Sequence, residues 1–376
     1  MSSSTPSSRR PHAATAAVQA RRVGHCVRLG SLLGAVLALL ALPGVGHAFV
    51  RCVTTSEALT TALQDAYSTA DTVSYILIAE GTYTSSDGFS LTLVNPIQGI
   101  NLVGGYSRPS CATKLQGPAS ATVLVGTPLF PALKVRTHEP AQVQSIYIAD
   151  LSLQHPGYTG SLTGACLHAE NWKASHQLTI ERLRIEQCQA TQGAAAHVGG
   201  PGTSIVRNLL LRDNATPKAA SFQAVSGGTL SLAQLTVVHG ASQIGMELIS
   251  AGSGSELYLS NSVVTSNAPN PFGTDIDAWH DAGSDLRLER VHVDVINGSP
   301  SSNVARSSGD PGFVSATDPH LREDSVLVDS GVPNPNGNTG TLDADGRSRV
   351  FGAAVDVGAF EYLPDALFAD GFETGP

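Results

Sequence analysis

The chain repeats one pattern of apolar and polar positions six times between residues 145 and 293. In each copy two apolar pairs alternate with polar residues and are separated by a two-residue break, as in Leu230, Leu232, Leu235 and Val237. Alternation at period two predicts a half-buried strand, and the break predicts a corner. The matched positions are 146, 178, 204, 230, 257 and 286, which lie 32, 26, 26, 27 and 29 residues apart. This recurrence predicts a solenoid of strands with one coil per copy.

Shorter strands are predicted between these copies, and each carries an outward polar residue. If they stack in register, the polar side chains form one column with about 4.8 Å between neighbours. The members of this column are His168, His197, Gln223, Glu247 and Asp277. Such a column is a candidate binding face. The alternative, which the mixed residue types favour, is a solvent-facing polar ladder of the kind that every strand solenoid has.

Residues 54 to 70 predict the one convincing helix of the chain. Thr54 and Glu57 fit a capping box, and the apolar residues that follow share one helical face. The end of a strand stack exposes unpaired backbone and open core, so it needs a cover. We therefore expect this helix to cap the N-terminal end. The first coils are expected at residues 75–78, 100–103, 122–125 and 133–135.

Residues 1 to 48 have the pattern of a secretory signal peptide. Five arginines and no acidic residue precede an apolar run from Leu29 to Leu42, and Gly46-His47-Ala48 supplies small residues at a cleavage site. The run is short for a membrane span, which needs about 20 residues. We predict export to the cell surface or the medium and no membrane span in the mature chain; an uncleaved anchor stays open.

The balance of charge excludes some classes of partner. The whole chain has a formal charge of −9, and cleavage after Ala48 leaves 17 basic and 31 acidic residues, a charge of −14. No basic stretch remains to follow phosphate groups, so neither nucleic acid nor an anionic membrane surface is expected as a partner. We expect a monomer.

Four cysteines remain after processing, an even number that suggests two disulfides in an exported chain. Cys166 and Cys188 are separated by 22 residues, nearly one coil, so we favour a bond between them. Cys52 and Cys111 would then pair at the N-terminal end. The alternative is that Cys166 and Cys188 are buried as small apolar thiols.

Two sets of motifs resemble known exported bacterial proteins. Residues 73 to 83 end Ile-Ala-Glu-Gly-Thr-Tyr and precede Leu102-Val-Gly-Gly-Tyr106, which resembles the opening of right-handed parallel β-helix proteins of the pectin-lyase-like superfamily. Four later motifs resemble, in order, those of choice-of-anchor Q domain proteins. They are Asp310-Pro-Gly-Phe313, Leu321 with Ser325-Val-Leu-Val-Asp-Ser-Gly331, Leu342-Asp-Ala-Asp-Gly-Arg347 and Val355-Asp-Val-Gly-Ala-Phe-Glu361. Val326 stands where that family usually has proline.

The resemblance implies an all-β fold, a right-handed parallel β-helix with an N-terminal capping helix and a β-rich C-terminal closing region. We therefore divide the chain into a signal peptide (1–48), a β-helix with its cap (49–305), a choice-of-anchor Q-like closing region (306–363) and a tail (364–376). The tail is interpreted either as a sorting tag or as a frayed terminus. The family implies export but no agreed activity.

Catalytic motifs of related β-helix enzymes are incomplete in this sequence. Polygalacturonase-like enzymes use paired aspartates and a Gly-His-Gly segment, whereas this chain has only His239-Gly240 and no Asp-Asp pair. Pectate-lyase-like enzymes use a carboxylate cluster for Ca²⁺, and Asp275, Asp277 and Asp281 are candidate ligands for that ion. No other cofactor is indicated, and exposed acids in a glycine-rich turn are an equally ordinary explanation.

Aromatic residues are the remaining candidates for sugar binding. The candidate stacking platforms are Tyr147, Tyr158, Trp172, Tyr258, Trp279 and His280. They are interpreted as packing residues, on the premise that they do not recur at matched coil positions.

The sequence thus favours an exported, non-catalytic β-helix protein with a binding or structural role, its partner a polysaccharide or another cell-surface glycan. The alternatives are a Ca²⁺-assisted polysaccharide lyase or glycoside hydrolase, and an adhesive stalk.

Overall fold

The computed structural model describes residues 49–68, 74–93, 99–115, 117, 121–137, 145–240, 242–266 and 273–364. The predicted signal peptide and residues 365–376 of the tail lie outside the described residues. Within the described part the chain forms one helix, α1 (Ser56–Ser68), and 22 strands.

The strands follow the chain in this order. They are β1 (Phe49–Val53), β2 (Ser74–Ala79), β3 (Gly81–Thr84), β4 (Phe89–Leu93), β5 (Gly99–Tyr106), β6 (Thr122–Val125), β7 (Leu133–Thr137), β8 (Ser145–Tyr158), β9 (Gly164–Asn171), β10 (Gln177–Ala190), β11 (Ala194–Gly200), β12 (Thr203–Arg212), β13 (Lys218–Val225), β14 (Thr229–Val238), β15 (Ile244–Ala251), β16 (Glu256–Thr265), β17 (Thr274–His280), β18 (Asp285–Val293), β19 (Ile296–Gly298), β20 (Ser302–Val304), β21 (Phe313–Ser315) and β22 (Asp318–Leu321).

Two long parallel sheets make the body of the protein, a parallel β-helix as predicted. Sheet A has the order β1-β2-β5-β8-β10-β12-β14-β16-β18-β20, with β3 and β6 beside it, and sheet B has the order β4-β7-β9-β11-β13-β15-β17-β19. From β6 to β20, strands of sheet A and strands of sheet B alternate along the chain, so each coil there contributes one strand to each sheet. The six matched sequence positions are direct register partners across β8 to β18. The predicted stacking is confirmed.

The predicted corner is also present in each of the six coils. One residue of every break has a left-handed backbone, with φ between 48° and 59°. These residues, here called the corner row, are Asp150, Arg182, Asn208, Gln234, Asn261 and Arg290. Asparagine and aspartate tolerate this conformation, whereas arginine and glutamine adopt it at a cost of about 1 kcal/mol. Stacking of the coils therefore fixes the bend even where the local residue opposes it.

The helix covers the N-terminal end of the stack, as predicted. Leu59, Ala62, Leu63 and Ala66 are buried in the common core. The helix begins two residues later than expected, because the Thr55 hydroxyl accepts the hydrogen bond from the Ala58 amide, 3.2 Å away. Thr55, and not Thr54, is therefore the N-cap. Within the described residues, no helix combines the length and the apolar character that crossing a membrane requires.

Both favoured disulfides are present. Cys52 pairs with Cys111, and Cys166 pairs with Cys188. The geometry of the second bond differs from the expectation, because Cys166 lies in sheet B and Cys188 at the end of a sheet A strand. The bond therefore joins the two sheets through the buried core instead of linking neighbouring strands of one sheet.

Replacing Cys166 and Cys188 together by alanine is expected to lower the free energy of unfolding by about 3 kcal/mol, because the bond closes a loop spanning 22 residues. Urea denaturation of the purified protein measures this loss. The double alanine variant of Cys52 and Cys111 is the comparison, and it should lose slightly more because its bond closes a loop of 59 residues. A loss below about 1 kcal/mol would show that the Cys166–Cys188 cross-link adds little to the stability of the fold.

Residues 313–362 form a strap along the outer surface of sheet A. The strap contains one antiparallel pair, β21 with β22, and otherwise turns and irregular backbone, so it has less β structure than expected. Its hydrogen bonds to sheet A include Asn208 Nδ2 to Thr339 O (3.1 Å), Asn261 Nδ2 to Val332 O (2.8 Å) and Ala359 N to Thr236 Oγ1 (2.8 Å). Two small apolar clusters around Leu210 and Val263 complete the contact. The strap thus covers part of the outer surface of sheet A.

Candidate functional site

The outer face of sheet B, here called the sheet B face, carries the predicted polar column. Strand register places eight residues in one outward row. They are Ser90, Lys134, His168, His197, Ser221, Glu247, Asp277 and Asn297. Four of the five predicted members lie in this row. Gln223 does not, because Ser221 is the partner of both His197 and Glu247.

Gln223 lies in the next outward row of the same face. That row contains Thr92, Arg136, Glu170, Gly199, Gln223, Ile249 and Trp279. The error has a simple cause: a shift by two residues keeps a side chain on the same face, so alternation alone does not distinguish Ser221 from Gln223. The two rows together form a polar surface that crosses every coil from β4 to β17.

Two stacked histidines lie at the centre of the first row. The rings of His168 and His197 have centroids 5.3 Å apart and an interplanar angle of 21°. Both side chains are buried within the polar layer. Burial, and after it the neighbouring His168, lowers the pKa of His197 to about 4. His197 is therefore neutral at physiological pH and can act as a hydrogen-bonding group.

Glu170 joins the two rows. Its Oε1 lies 3.4 Å from His168 Nε2, and its Oε2 accepts a hydrogen bond from Trp172 Nε1 at 2.8 Å and lies 3.3 Å from Arg136 Nε. The hydrogen bond with His168 is the main reason why the pKa of Glu170 is lowered to about 2. A permanently ionised carboxylate therefore holds His168, Trp172 and Arg136 in fixed positions.

The acidic residues farther along the face are also partnered. Glu247 pairs with Lys218 and accepts a hydrogen bond from the Ser221 hydroxyl at 2.8 Å. Asp277 Oδ1 accepts a hydrogen bond from Asn297 Nδ2 at 2.9 Å. Positive and negative side chains thus largely compensate each other, and the face offers polar groups without a strong net field.

Two tryptophans stand on the sheet B face, one beside β9 and one on β17. Trp172 is 45% exposed and Trp279 is 54% exposed. The guanidinium of Arg136 lies 5.3 Å from the Trp172 ring centroid and supports that ring. Trp172 follows β9 and Trp279 belongs to β17, four strands farther along sheet B, so they are about 19 Å apart along the stack.

Gly199 leaves a gap in the second row between these tryptophans. A Cβ atom at this position would lie 3.2 Å from His197 Nε2 and 3.4 Å from Gln223 Cβ, so a larger residue would crowd both side chains. The gap lies between Glu170 and Gln223, the register partners of Gly199. Polar groups thus surround a position without a side chain near the middle of the face.

The three candidate calcium ligands do not converge. Asp275 is buried and accepts hydrogen bonds from His239 Nε2 (2.7 Å) and the Val295 amide (2.8 Å). Asp277 contacts Asn297, and Asp281 accepts a hydrogen bond from the Gly252 amide at 2.8 Å. Among the residues that the structure describes, no three histidine, cysteine, aspartate or glutamate side chains are grouped to hold a metal ion. The geometry therefore does not support the predicted calcium site.

The premise that aromatic residues avoid matched coil positions is wrong. Tyr147 and Tyr258 lie in one outward row of sheet A, and Tyr75 belongs to the same row. The matched positions 146 and 257 directly precede Tyr147 and Tyr258, so the sequence repeat already contained this signal. Lys134, Arg136 and Glu170 of the sheet B face were also missed, although they alternate with buried residues in their strands.

Comparisons with known proteins add little to this description. No protein-family model matches the chain, and no curated protein matches it. Among solved structures, the crystal structure of pectate lyase Pel9A is similar at 14% sequence identity and a TM-score of 0.31, over 80% of this chain and 90% of that chain. A similarity of this size carries no argument about function, and the fold assignment depends on the strand pairing itself.

Proposed function

We propose that this protein is an exported, non-catalytic β-helix protein that binds a polysaccharide along the sheet B face. The observation that carries the proposal is the pair of half-exposed tryptophans, Trp172 and Trp279, spaced four strands apart on a polar surface. An indole presents a flat apolar face together with one polar N–H group, and exposed aromatic rings of this kind favour binding surfaces. Sugar rings offer the complementary combination of C–H faces and hydroxyl edges.

The polar groups between the tryptophans suit the hydroxyl groups of a glycan. The Gln223 amide and the Glu170 carboxylate offer donors and acceptors around the gap at Gly199, and the ring of the buried, neutral His197 lies beneath it. Several weak contacts along an extended chain add up, so a flat face can bind a polymer without a deep pocket.

The charges favour a glycan with little net charge. Glu170 and Glu247 already have basic partners on the face, and the whole chain is acidic, with a formal charge of −9. A polyanion would approach a chain of negative net charge and would find no unpaired basic stretch on this face to attract it. We infer a neutral polysaccharide as the ligand class.

Two features support export and the choice-of-anchor Q assignment as parts of this proposal. Two disulfides suit an oxidising compartment outside the cytoplasm. The motif residues Asp343, Asp356 and Glu361, on which the resemblance rests, are buried in the strap. Their burial is what a domain-defining motif requires.

Replacing Trp279 or Trp172 by alanine is expected to weaken glycan binding about tenfold each, and both together about 100-fold, because exposed tryptophans dominate the energy of such contacts. A glycan array first identifies a neutral ligand, and titration calorimetry then measures the affinities. Phe351→Ala is the matched control, since Phe351 is 38% exposed and lies on the strap.

Equal affinity in the wild type and the double tryptophan variant would contradict the proposed face. Product assays on the bound glycan, with Asp277→Ala as comparison, separate binding from catalysis. Turnover that is lost in Asp277→Ala would replace the binding function with a lyase or hydrolase function.

A further inference from the structure

The strap contains a buried cluster of four charged side chains. They are Asp343 (0% exposed), Arg349 (1%), Asp356 (1%) and Glu361 (1%). The three carboxylates lie within the motifs of the closing region, and Arg349 lies between the last two of those motifs. Burial of this many charges needs compensation, so their partners decide how firmly the strap is held.

The carboxylates organise the backbone of the strap. Their hydrogen bonds from backbone amides are Asp345 N and Arg347 N to Asp343 Oδ1, Glu361 N to Asp343 Oδ2, Asp329 N to Asp356 Oδ1, Tyr362 N to Asp356 Oδ2, Phe351 N to Glu361 Oε1 and Asp356 N to Glu361 Oε2. Distant segments of the strap are thereby tied together, so its conformation depends on these three side chains.

The cluster has more acids than bases. Arg349 faces three carboxylates, so complete ionisation would leave an excess of negative charge in a buried volume. Burial is the main reason why the pKa of Glu361 is raised to about 7, and it also raises the pKa values of Asp343 and Asp356. A proton on Glu361 relieves the excess charge.

A second protonated group fastens the strap beside sheet A. His320 Nδ1 lies 2.5 Å from Asp318 Oδ1, and its Nε2 lies 2.8 Å from Asp345 Oδ2. The other oxygen of Asp345 accepts a hydrogen bond from Arg184 Nη2 of β10 at 2.5 Å. Since both ring nitrogens face carboxylates, both carry hydrogen, and the ring is an imidazolium. Burial lowers the pKa of His320, but the hydrogen bonds to Asp345 and Asp318 outweigh burial and raise it.

Protonation of Glu361 and protonation of His320 therefore both stabilise the closed strap. Each side chain has a folded-state pKa above its ordinary value, so the closed strap binds more protons than the open one. The stabilisation is complete below the ordinary pKa and is lost as the pH rises through the folded-state pKa. For Glu361 this window runs from 4.5 to about 7, and for His320 it begins at 6.5.

Solvent has access to this region through a cavity of about 500 Å³. The charged and titratable groups that line this cavity with Glu361 are Asp318, His320, Arg322, Glu323, Arg347 and Tyr362, and Arg349, Asp343 and Asp356 lie beside Glu361 in the buried cluster. Those that face His320 are Asp318 and Asp345 from the strap, with Arg184 and Arg212 of sheet A beside them. Protons can thus exchange with the medium without unfolding of the β-helix.

We propose that the strap is a proton-controlled latch, closed on sheet A in acidic medium and loosened as the medium becomes alkaline. Loosening withdraws the strap from the corner row and from the apolar residues Leu210 and Val263, which it covers. The β-helix, stabilised by its own core and by two disulfides, stays folded throughout.

Hydrogen exchange of the purified protein at pH 5 and pH 8, corrected for intrinsic exchange rates, tests this latch. The amides of Phe351, Asp356 and Tyr362 report on the strap, and those of β14 report on the β-helix. We expect strap protection, relative to β14, to fall about 70-fold from Glu361 alone, since each unit of pKa shift is tenfold in the closing equilibrium. His320 adds to this fall.

Glu361→Gln is expected to reduce the pH-dependent fall to less than about tenfold, and His320→Asn to reduce it independently. Glu323→Gln, an exposed residue of the same cavity, is the matched control and should keep the full response. The latch is wrong if the protection of the strap amides relative to the β14 amides is the same at pH 5 and pH 8 in the wild type. It is also wrong if both variants show the same pH-dependent fall as the wild type. The hydrogen-exchange experiment does not depend on glycan affinity, so a negative result for the latch would not bear on the proposed binding function.

Discussion

Replacing Arg349 by methionine is expected to lower the free energy of unfolding by about 3–5 kcal/mol, the cost of removing one partner from a buried charge cluster. Arg349 donates hydrogen bonds to the carbonyl oxygens of Ala359 (3.0 Å), Asp356 (3.0 Å) and Gly358 (2.8 Å). Its Nε lies 3.7 Å from Glu361 Oε2. Methionine fills a similar volume but leaves three carbonyl groups and the buried carboxylates without a positive partner.

Urea denaturation at pH 8 measures this loss, and hydrogen exchange locates it in the strap. The loss should be smaller at pH 5, because the carboxylates can then bind protons and need less compensation. Arg347→Met is the matched control, since the Arg347 side chain is 40% exposed and its substitution should change stability by less than about 1 kcal/mol. A similar small effect of Arg349→Met would mean that the buried cluster contributes little to stability.

The β-helix could be predicted from the sequence because its repeat is local. Residues at matched positions such as Ile146 and Leu178 are register partners, and the spacing of one coil was visible as a sequence period. The corner also follows from this pattern, since a two-residue break reverses the alternation between inward and outward positions. The core is fixed by these regularities, whatever the identity of the outward residues.

The outward register was less certain for a physical reason. Loops between strands vary in length, and β9 and β11 are joined with a register shift between Ala194 and Ala196. Alternation identifies the outward face but not the row along the strand, so Gln223 was placed where Ser221 lies. Only the backbone hydrogen bonds between strands distinguish the two positions.

The strap could not be predicted in detail, because its contacts join residues far apart in the sequence. Arg207 and Asn208 bind Gly337 and Thr339, some 130 residues later in the chain. No periodicity connects these segments. The resemblance to a family identified the motifs, but it gave no indication that Arg349 would be surrounded by carboxylates.

Asp275 illustrates a second limit of sequence reasoning and leads to a large expected effect. Asp275 and Asp277 alternate in one strand, so the sequence places both on one face, where carboxylates could share a cation. The structure buries Asp275 against His239 and the amides of Asp294 and Val295 instead. The strand end turns here, and the buried donors require an acceptor.

Replacing Asp275 by alanine is therefore expected to lower the free energy of unfolding by about 3–5 kcal/mol, whereas Asp277→Ala should change it by less than about 1 kcal/mol. Thermal and urea denaturation of both variants, each with and without a chelator, separates this structural role from a calcium site. If Asp275 acts through His239 and the backbone, the chelator changes none of the melting temperatures. If the two carboxylates hold calcium, the chelator lowers the melting temperature of the wild type towards that of Asp275→Ala, and Asp277→Ala becomes as destabilising as Asp275→Ala. The matched pair decides the question because both residues lie on β17, two positions apart, and differ in what surrounds them.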